Sequence, residues 1–218
     1  MRFSSRHRAA IGGQARQGGF LTSRQAIVLL ALIFLAPTFV ALVMHNVSDG
    51  GWQPDVTTNS GALVHPARPL ELSADIVYGD KPLAEYLQGK WTLVYLGRAD
   101  CDDACKSNLY KMRQARTAQN EHMKRVQRLF VFEGGPLPES VSGYLASEQP
   151  QLDKVQLAPL QFGKLAEFFV IDDTPVRDAG RVYIVDPLGN LMMYYPPDAD
   201  PRGLLKDLKK LLKYSRIG

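Results

Sequence analysis

The sequence predicts an α/β domain with a mixed central sheet flanked by helices, carried behind one N-terminal transmembrane helix. Three observations lead there. Residues 26–44, AIVLLALIFLAPTFVALVM, form an apolar run with no charge. Beyond residue 64, apolar runs of strand length alternate with stretches of helical periodicity, the order of an α/β fold. Near the C-terminus two strand-like runs bracket the turn Pro187-Leu188-Gly189-Asn190, which makes a hairpin and therefore a mixed sheet.

The chain divides into a basic tail (1–24), a transmembrane helix (25–45), a connector (46–63) and a domain (64–218). The 19 apolar residues would rise ~28 Å as a helix, about the thickness of a bilayer core. A cleavable leader has a shorter apolar core, and HNVSDGGW after Met44 offers no convincing small-x-small cleavage site. An uncleaved anchor is the better reading, and Pro37 is tolerable within it.

Charge gives the orientation. The chain has a net charge of +4, with 26 basic and 22 acidic residues. Residues 1–48 hold Arg2, Arg6, Arg8, Arg16 and Arg24 and no acid, so the remainder has 21 basic against 22 acidic residues, a net of −1. The net basic balance thus belongs to the tail, which disfavours a basic nucleic-acid-binding domain. By the positive-inside rule the tail is cytoplasmic and the domain lies across the membrane. A bacterial inner membrane, with a periplasmic domain, is the expectation. The tail also resembles a mitochondrial presequence in being Arg-bearing and acid-free, so the mitochondrial inner membrane is the alternative.

Within the domain, Ser73–Val77 reads as a short strand and Trp91–Gly97 (WTLVYLG) as a buried central one. A helix is expected from Asp102 to about Gln119, a strand over Val126–Phe132 and a helix over Glu139–Ser147. Leu152–Leu157 reads as a strand and Leu160–Phe169 as a helix, followed by the hairpin runs Arg181–Asp186 and Leu191–Tyr195. The last helix, Pro201 to about Ser215, is amphipathic: Leu204, Leu205, Leu208, Leu211 and Leu212 share one face, and Lys206, Lys209, Lys210 and Lys213 the other. That basic face reads as a solvated cover, or as a contact for anionic lipid or an acidic partner.

Only two cysteines are present, Cys101 and Cys105, in GRADCDDACKSNLYKMR. They follow the central strand where a helix begins, and their spacing would place both sulfurs on one helical face. Three readings are open. A structural staple over a ~5-residue loop contributes only about 2 kcal/mol. Half of a zinc site lacks a second ligand pair. A redox or soft-metal pair fits the strand-to-helix position, where the helix N-terminus stabilises a thiolate. Cys101, nearer that terminus, is the expected nucleophile, although Asp100, Asp102 and Asp103 act against a thiolate. Two thiolates also suit Cu(I).

These residues resemble the Sco/SenC family, whose thioredoxin-fold members help assemble the copper centre of cytochrome c oxidase. The likeness is carried by Gly89–Gly97 (GKWTLVYLG), Cys101-x-x-x-Cys105, Val182–Asn190 (VYIVDPLGN) and Asp-Ala-Asp-Pro at 198–201, and it spans about residues 70–215. There are two departures: Asp102, Asp103, Ala104 and Lys106 stand where the family has prolines in and after its cysteine motif. The family's copper-binding histidine lies just before the late strand, where this chain reads DDTPVRDAG (172–180), so the resemblance implies a divergent member with no family histidine. His7, His45, His65 and His122 all lie elsewhere, and His122 reads as a surface histidine. Met192 and Met193 are soft ligand types on a strand that turns one of them into the core. Asp178 is near the vacant position but is a hard ligand. Pro175 reads as a loop proline.

The resemblance implies three functions. The first is a membrane-anchored oxidase assembly factor that exchanges disulfides through Cys101 and Cys105. The second is a Cu(I) chaperone using the same two sulfurs, with its third ligand unknown. The third is a non-catalytic docking module. The implied partners are an oxidase subunit or another assembly factor, with copper(I) as the possible cofactor and no nucleic acid.

Overall fold

A computed structural model describes residues 22–47 and 59–217 of the chain. The tail arginines Arg2, Arg6, Arg8 and Arg16, His7 and connector residues 48–58 lie outside the described residues. The chain forms two units, Met1–Val56 and Thr57–Gly218.

In the first unit, helix α1 spans Ser23–Val47 with Pro37 inside it. Its Ser23–Val43 stretch is long and apolar enough to cross a membrane, the one such helix among the described residues. Its side chains from Ser23 to Val43 are exposed.

The second unit has a six-stranded sheet. In chain order it comprises β1 (Ala62–Pro69), the two-residue strands β2 (Val77–Tyr78) and β3 (Lys81–Pro82), α2 (Leu83–Tyr86) and β4 (Trp91–Arg98). Then come α3 (Asp103–Thr117), β5 (Val126–Glu133), α4 (Glu139–Glu148), β6 (Asp153–Leu157) and α5 (Pro159–Ala166). The hairpin β7 (Val182–Val185) and β8 (Asn190–Tyr195) leads to α6 (Pro201–Tyr214). Sheet order is β1-β8-β7-β4-β5-β6, with β4, β5 and β6 parallel and the contacts β4–β7, β7–β8 and β8–β1 antiparallel.

Strand β4 is central because its sequence is apolar on both faces: its first seven residues are buried. Trp91, Leu93 and Tyr95 join a core with Leu109 and Met112 of α3, Val141 and Leu145 of α4, and Leu204, Leu208 and Leu212 of α6. Val94 and Leu96 join the opposite core, with Leu83 of α2 and Phe162 and Leu165 of α5. Helix α6 is fixed by a buried acid, since Asp207 Oδ2 accepts from the backbone N–H of Ser60 (2.7 Å) and Gly61 (2.9 Å) and from the Tyr195 hydroxyl (2.9 Å). Gly203 lets the chain pass there: a Cβ on it would come within 2.6 Å of the Ser60 Cβ.

Most expected elements form, with differences at their ends. Residues 73–76 are a turn, closed by the Ile76 N–H on the Ser73 carbonyl, so the strand expected there shrinks to Val77–Tyr78. The helix expected over 160–169 ends at Ala166 and tightens into a 3₁₀ turn, Glu167–Phe169. Strand β1, which has no apolar alternation, forms on an edge, the position that tolerates Pro66 and Pro69.

Candidate functional site

The cysteines sit at the C-terminal end of β4, where the chain turns from sheet to helix. Strand β4 ends at Arg98, and Cys101 follows in a left-handed conformation, φ 33°, uncommon for a residue with a Cβ. Asp102 is the N-cap of α3, accepting the Cys105 N–H at 2.8 Å. Helix α3 therefore starts at Asp103, and Cys101 stands ahead of it. This corrects the expectation that both sulfurs share a helical face. The two are joined in a disulfide with a Cα–Cα distance of 5.1 Å.

Cys101 and Cys105 are 2% and 3% exposed, yet they line an open cleft of about 390 Å³. Asp100, Asp102 and Ala104 from the cysteine loop, with Tyr95, Arg98, Arg177, Asp178 and Gly180, complete its wall. The disulfide is thus reached through a cleft rather than presented on the surface. The 172–180 segment, in which the sequence shows no histidine, does pass beside the cysteines. It is tied to α3 by the Asn108 side-chain amide, which donates to the Gly180 carbonyl at 2.9 Å. An ion pair between Arg181 and Asp172, and the Thr174 N–H on Asp172 (2.9 Å), brace its start.

Arg98 and Arg177 face Asp100, Asp102 and Asp178 around the cleft, so its lining leans negative. Arg98 Nε donates to Asp178 Oδ1 at 2.8 Å, and Arg177 pairs with Glu133 at 2.5 Å. The Arg98 guanidinium holds the Asp178 carboxyl below the usual carboxylate range. Asp178 is thus already engaged, as well as hard. Burial, with the Asp102 charge adding, pushes the Tyr95 phenol up to about 12, so it stays protonated at neutral pH.

The remaining ligand candidates lie away from the cleft. His65 is exposed on β1, and His122 stands half-exposed beside Glu121 on a 3₁₀ turn. Met193 is buried and Met192 half-buried, as alternation requires, and both line a groove with Trp91 at the other end of β4. Pro175 lies in the loop ahead of β7, as the sequence suggests, and the cis proline among the described residues is Pro66. Among the described residues no group of three or more His, Cys, Asp or Glu could hold a metal ion. Sequence reasoning missed Arg98, Arg177 and Tyr95 as cleft residues. The one available signal was that Arg98 directly ends the central strand.

A family described as transmembrane-like, thioredoxin-like, C-terminal domain matches residues 91–215, more than half of the chain, and the chain belongs to that family. No curated protein matches the sequence. Apo Sco1 from Thermus thermophilus superposes with a TM-score of 0.57 at 20% identity, over 72% of this chain and 99% of that one. Arabidopsis thaliana ScoI with copper bound gives a TM-score of 0.50 at 21% identity, over 61% and 89%. Yeast Sco1 gives 0.50 at 19% identity, over 61% and 85%. The resemblance to Sco/SenC proteins read from the sequence is met as a shared thioredoxin-like fold.

Proposed function

We propose that this protein is a membrane-anchored, Sco-like factor for cytochrome c oxidase assembly that works by thiol–disulfide exchange. One observation carries the reading: the Cys101–Cys105 disulfide, the pairing of the only two cysteines, lines an open cleft at the head of a helix. In the reduced protein the Cys101 thiolate attacks a partner disulfide, forming a mixed disulfide and releasing one partner thiolate. Cys105 then attacks the Cys101 sulfur, freeing the second partner thiol and closing the Cys101–Cys105 bond. Two electrons and two protons pass to the partner, an oxidase subunit or another assembly factor. A dithiol donor on the same side of the membrane re-reduces the pair.

Tail charge supports a cytoplasmic N-terminus and a periplasmic domain on a bacterial inner membrane, with the mitochondrial intermembrane space the counterpart. Either compartment permits disulfides.

Cu(I) as cargo is the second reading. Once reduced, the cysteines offer two soft donors, and the Arabidopsis neighbour holds copper. The cleft adds neither His nor Met, and Asp178 is engaged by Arg98, so a third ligand would come from the partner. A docking module without chemistry is the remaining alternative.

Copper titration of the reduced protein, paired with oxidase activity in membranes carrying Cys101→Ser or Cys105→Ser, tests the proposal. Exchange predicts loss of oxidase activity in both variants without copper retention. Tightly held stoichiometric Cu(I), lost in Cys101→Ser, supports the chaperone. Unchanged oxidase activity in both variants leaves only the docking module.

A further inference from the structure

Helix α6 concentrates the domain's positive charge. Residues 201–217 hold Arg202, Lys206, Lys209, Lys210, Lys213 and Arg216 against one acid, Asp207. That acid is 1% exposed and points its hydrogen bonds at the β1 entry and Tyr195, so it does not offset the surface charge. The rest of the chain after residue 48 has 15 basic against 21 acidic residues, a net of −6 against +5 here. A domain that is near neutral in sum is therefore strongly polarised.

The arrangement on the helix is regular. Arg202, Lys206, Lys209 and Lys213 are exposed and follow one another at spacings of four, three and four, which makes one continuous ridge. An ordinary solvated helix alternates signs at such spacings, and α6 does not. Beside the C-terminal end of the ridge, Tyr214 is 71% exposed and Ile217 48% exposed, next to an apolar groove of about 360 Å³ that Leu63, Trp91 and Leu211 also line. Cations flanking exposed aromatic and aliphatic side chains match the chemistry of a bilayer interface. The nearby acids are Asp186 in the groove and Glu121 on the 3₁₀ turn whose Arg125 donates to the Leu212 and Ser215 carbonyls.

The described chain enters the domain on this face. Asn59 Oδ1 accepts from Lys210 at 3.4 Å, and Ser60 and Gly61 bond to Asp207, so the chain enters the domain along α6. Val47, the last residue of α1, is twelve residues earlier, a span of at most roughly 40 Å.

We infer that the C-terminal half of α6 docks on an anionic bilayer surface, with Lys206, Lys209 and Lys213 on lipid phosphates and Tyr214 and Ile217 at the interface. The inference rests on reading α1 as a membrane anchor. The start of α6 shares a pocket with Val182, which pairs with Tyr95 toward the cysteine end of β4, and its end lines the groove with Trp91 at the opposite end of that strand. Docking through its C-terminal half therefore turns the cleft away from the membrane, toward a partner's soluble face.

The test uses the full chain in nanodiscs of phosphatidylcholine alone or with phosphatidylglycerol, carrying an environment-sensitive fluorophore on Tyr214→Cys, its only free thiol. Emission should shift to the blue with phosphatidylglycerol and lose the shift in 0.5 M salt. The Lys206→Gln/Lys209→Gln/Lys213→Gln variant should abolish it, since three screened cation contacts together account for an on-the-order-of hundredfold bias toward the surface. Identical emission in both lipids, or a shift that survives salt and the triple substitution, overturns the inference, as does capture by an acidic protein with no lipid dependence. Circular dichroism of the triple variant checks folding. Redox cycling of Cys101 and Cys105 is measured separately and does not bear on the outcome.

Discussion

Arg98 and Asp178 are 80 positions apart in sequence and meet at 2.8 Å on the wall of the disulfide cleft. One ends the central strand and the other lies just before β7, so the fold alone brings them together. Both are largely exposed, which makes the pair a weak contributor to stability and a local determinant of charge at the cysteines.

Freeing Arg98 should therefore change exchange rather than folding. In Asp178→Asn the guanidinium is no longer neutralised, and reduction of the disulfide by anionic glutathione should run roughly two- to fivefold faster at low salt. Arg98→Gln should slow it, and 0.5 M salt should erase both effects while the melting temperatures stay near that of the parent. Because Arg98 depresses the Asp178 carboxyl, the pair persists at pH values above the ordinary carboxylate range. It is lost only as pH falls through the lowered value. The rate difference between parent and Asp178→Asn should accordingly hold throughout the neutral range, as stopped-flow reduction would show.

Reducing the disulfide should weaken the domain without unfolding it. The short loop contributes about 2 kcal/mol, so urea unfolding with and without dithiothreitol should differ by about that amount. Near-ultraviolet circular dichroism should remain native in the reduced form.

Alkaline pH should destabilise the fold through two phenols, Tyr95, which is buried, and Tyr78, which is hydrogen-bonded to Asp153. Burial raises Tyr95 from an ordinary value of 10.0 to about 12, and the Asp153 hydrogen bond raises Tyr78 to about 12. In the unfolded chain both ionise near 10, so their contribution is complete below that pH and declines as pH rises toward 12. Unfolding free energy should fall across this window, and Tyr78→Phe should make the fall shallower.

Asp207→Ala removes one carboxylate that serves Ser60, Gly61 and Tyr195. The cost should be roughly 2–4 kcal/mol, because buried donors lose their partner. Tyr195→Phe, which removes one of the three donors, should cost about 1 kcal/mol. Chemical denaturation of the two variants gives both numbers.

The architecture was legible where apolar pattern alone decides it. WTLVYLG could only be a strand buried on both faces, and the leucine spacing of 204–212 could only be a helix packed on one side. The proline-containing β1 was not legible, since its edge position is set by pairing with β8 rather than by its own residues. In the site, the cysteine pair and its place at a helix head could be read, but the Asp102 cap moved the helix start past Cys101. Arg98 and Asp178 could not be paired from sequence, because their contact depends on β4 and β7 being neighbours. Asp207 carried a signal that the charge pattern concealed: it falls between Leu204 and Leu208 on the buried face, three residues from one and one from the other.

The redox equilibrium of the full-length protein against glutathione buffers tests the central claim most directly, with thiol state read by alkylation and folding by circular dichroism. A working exchange pair predicts one two-electron transition in the folded protein, lost in Cys101→Ser. A disulfide that opens only when the domain unfolds would contradict the account and leave Cys101–Cys105 as a staple.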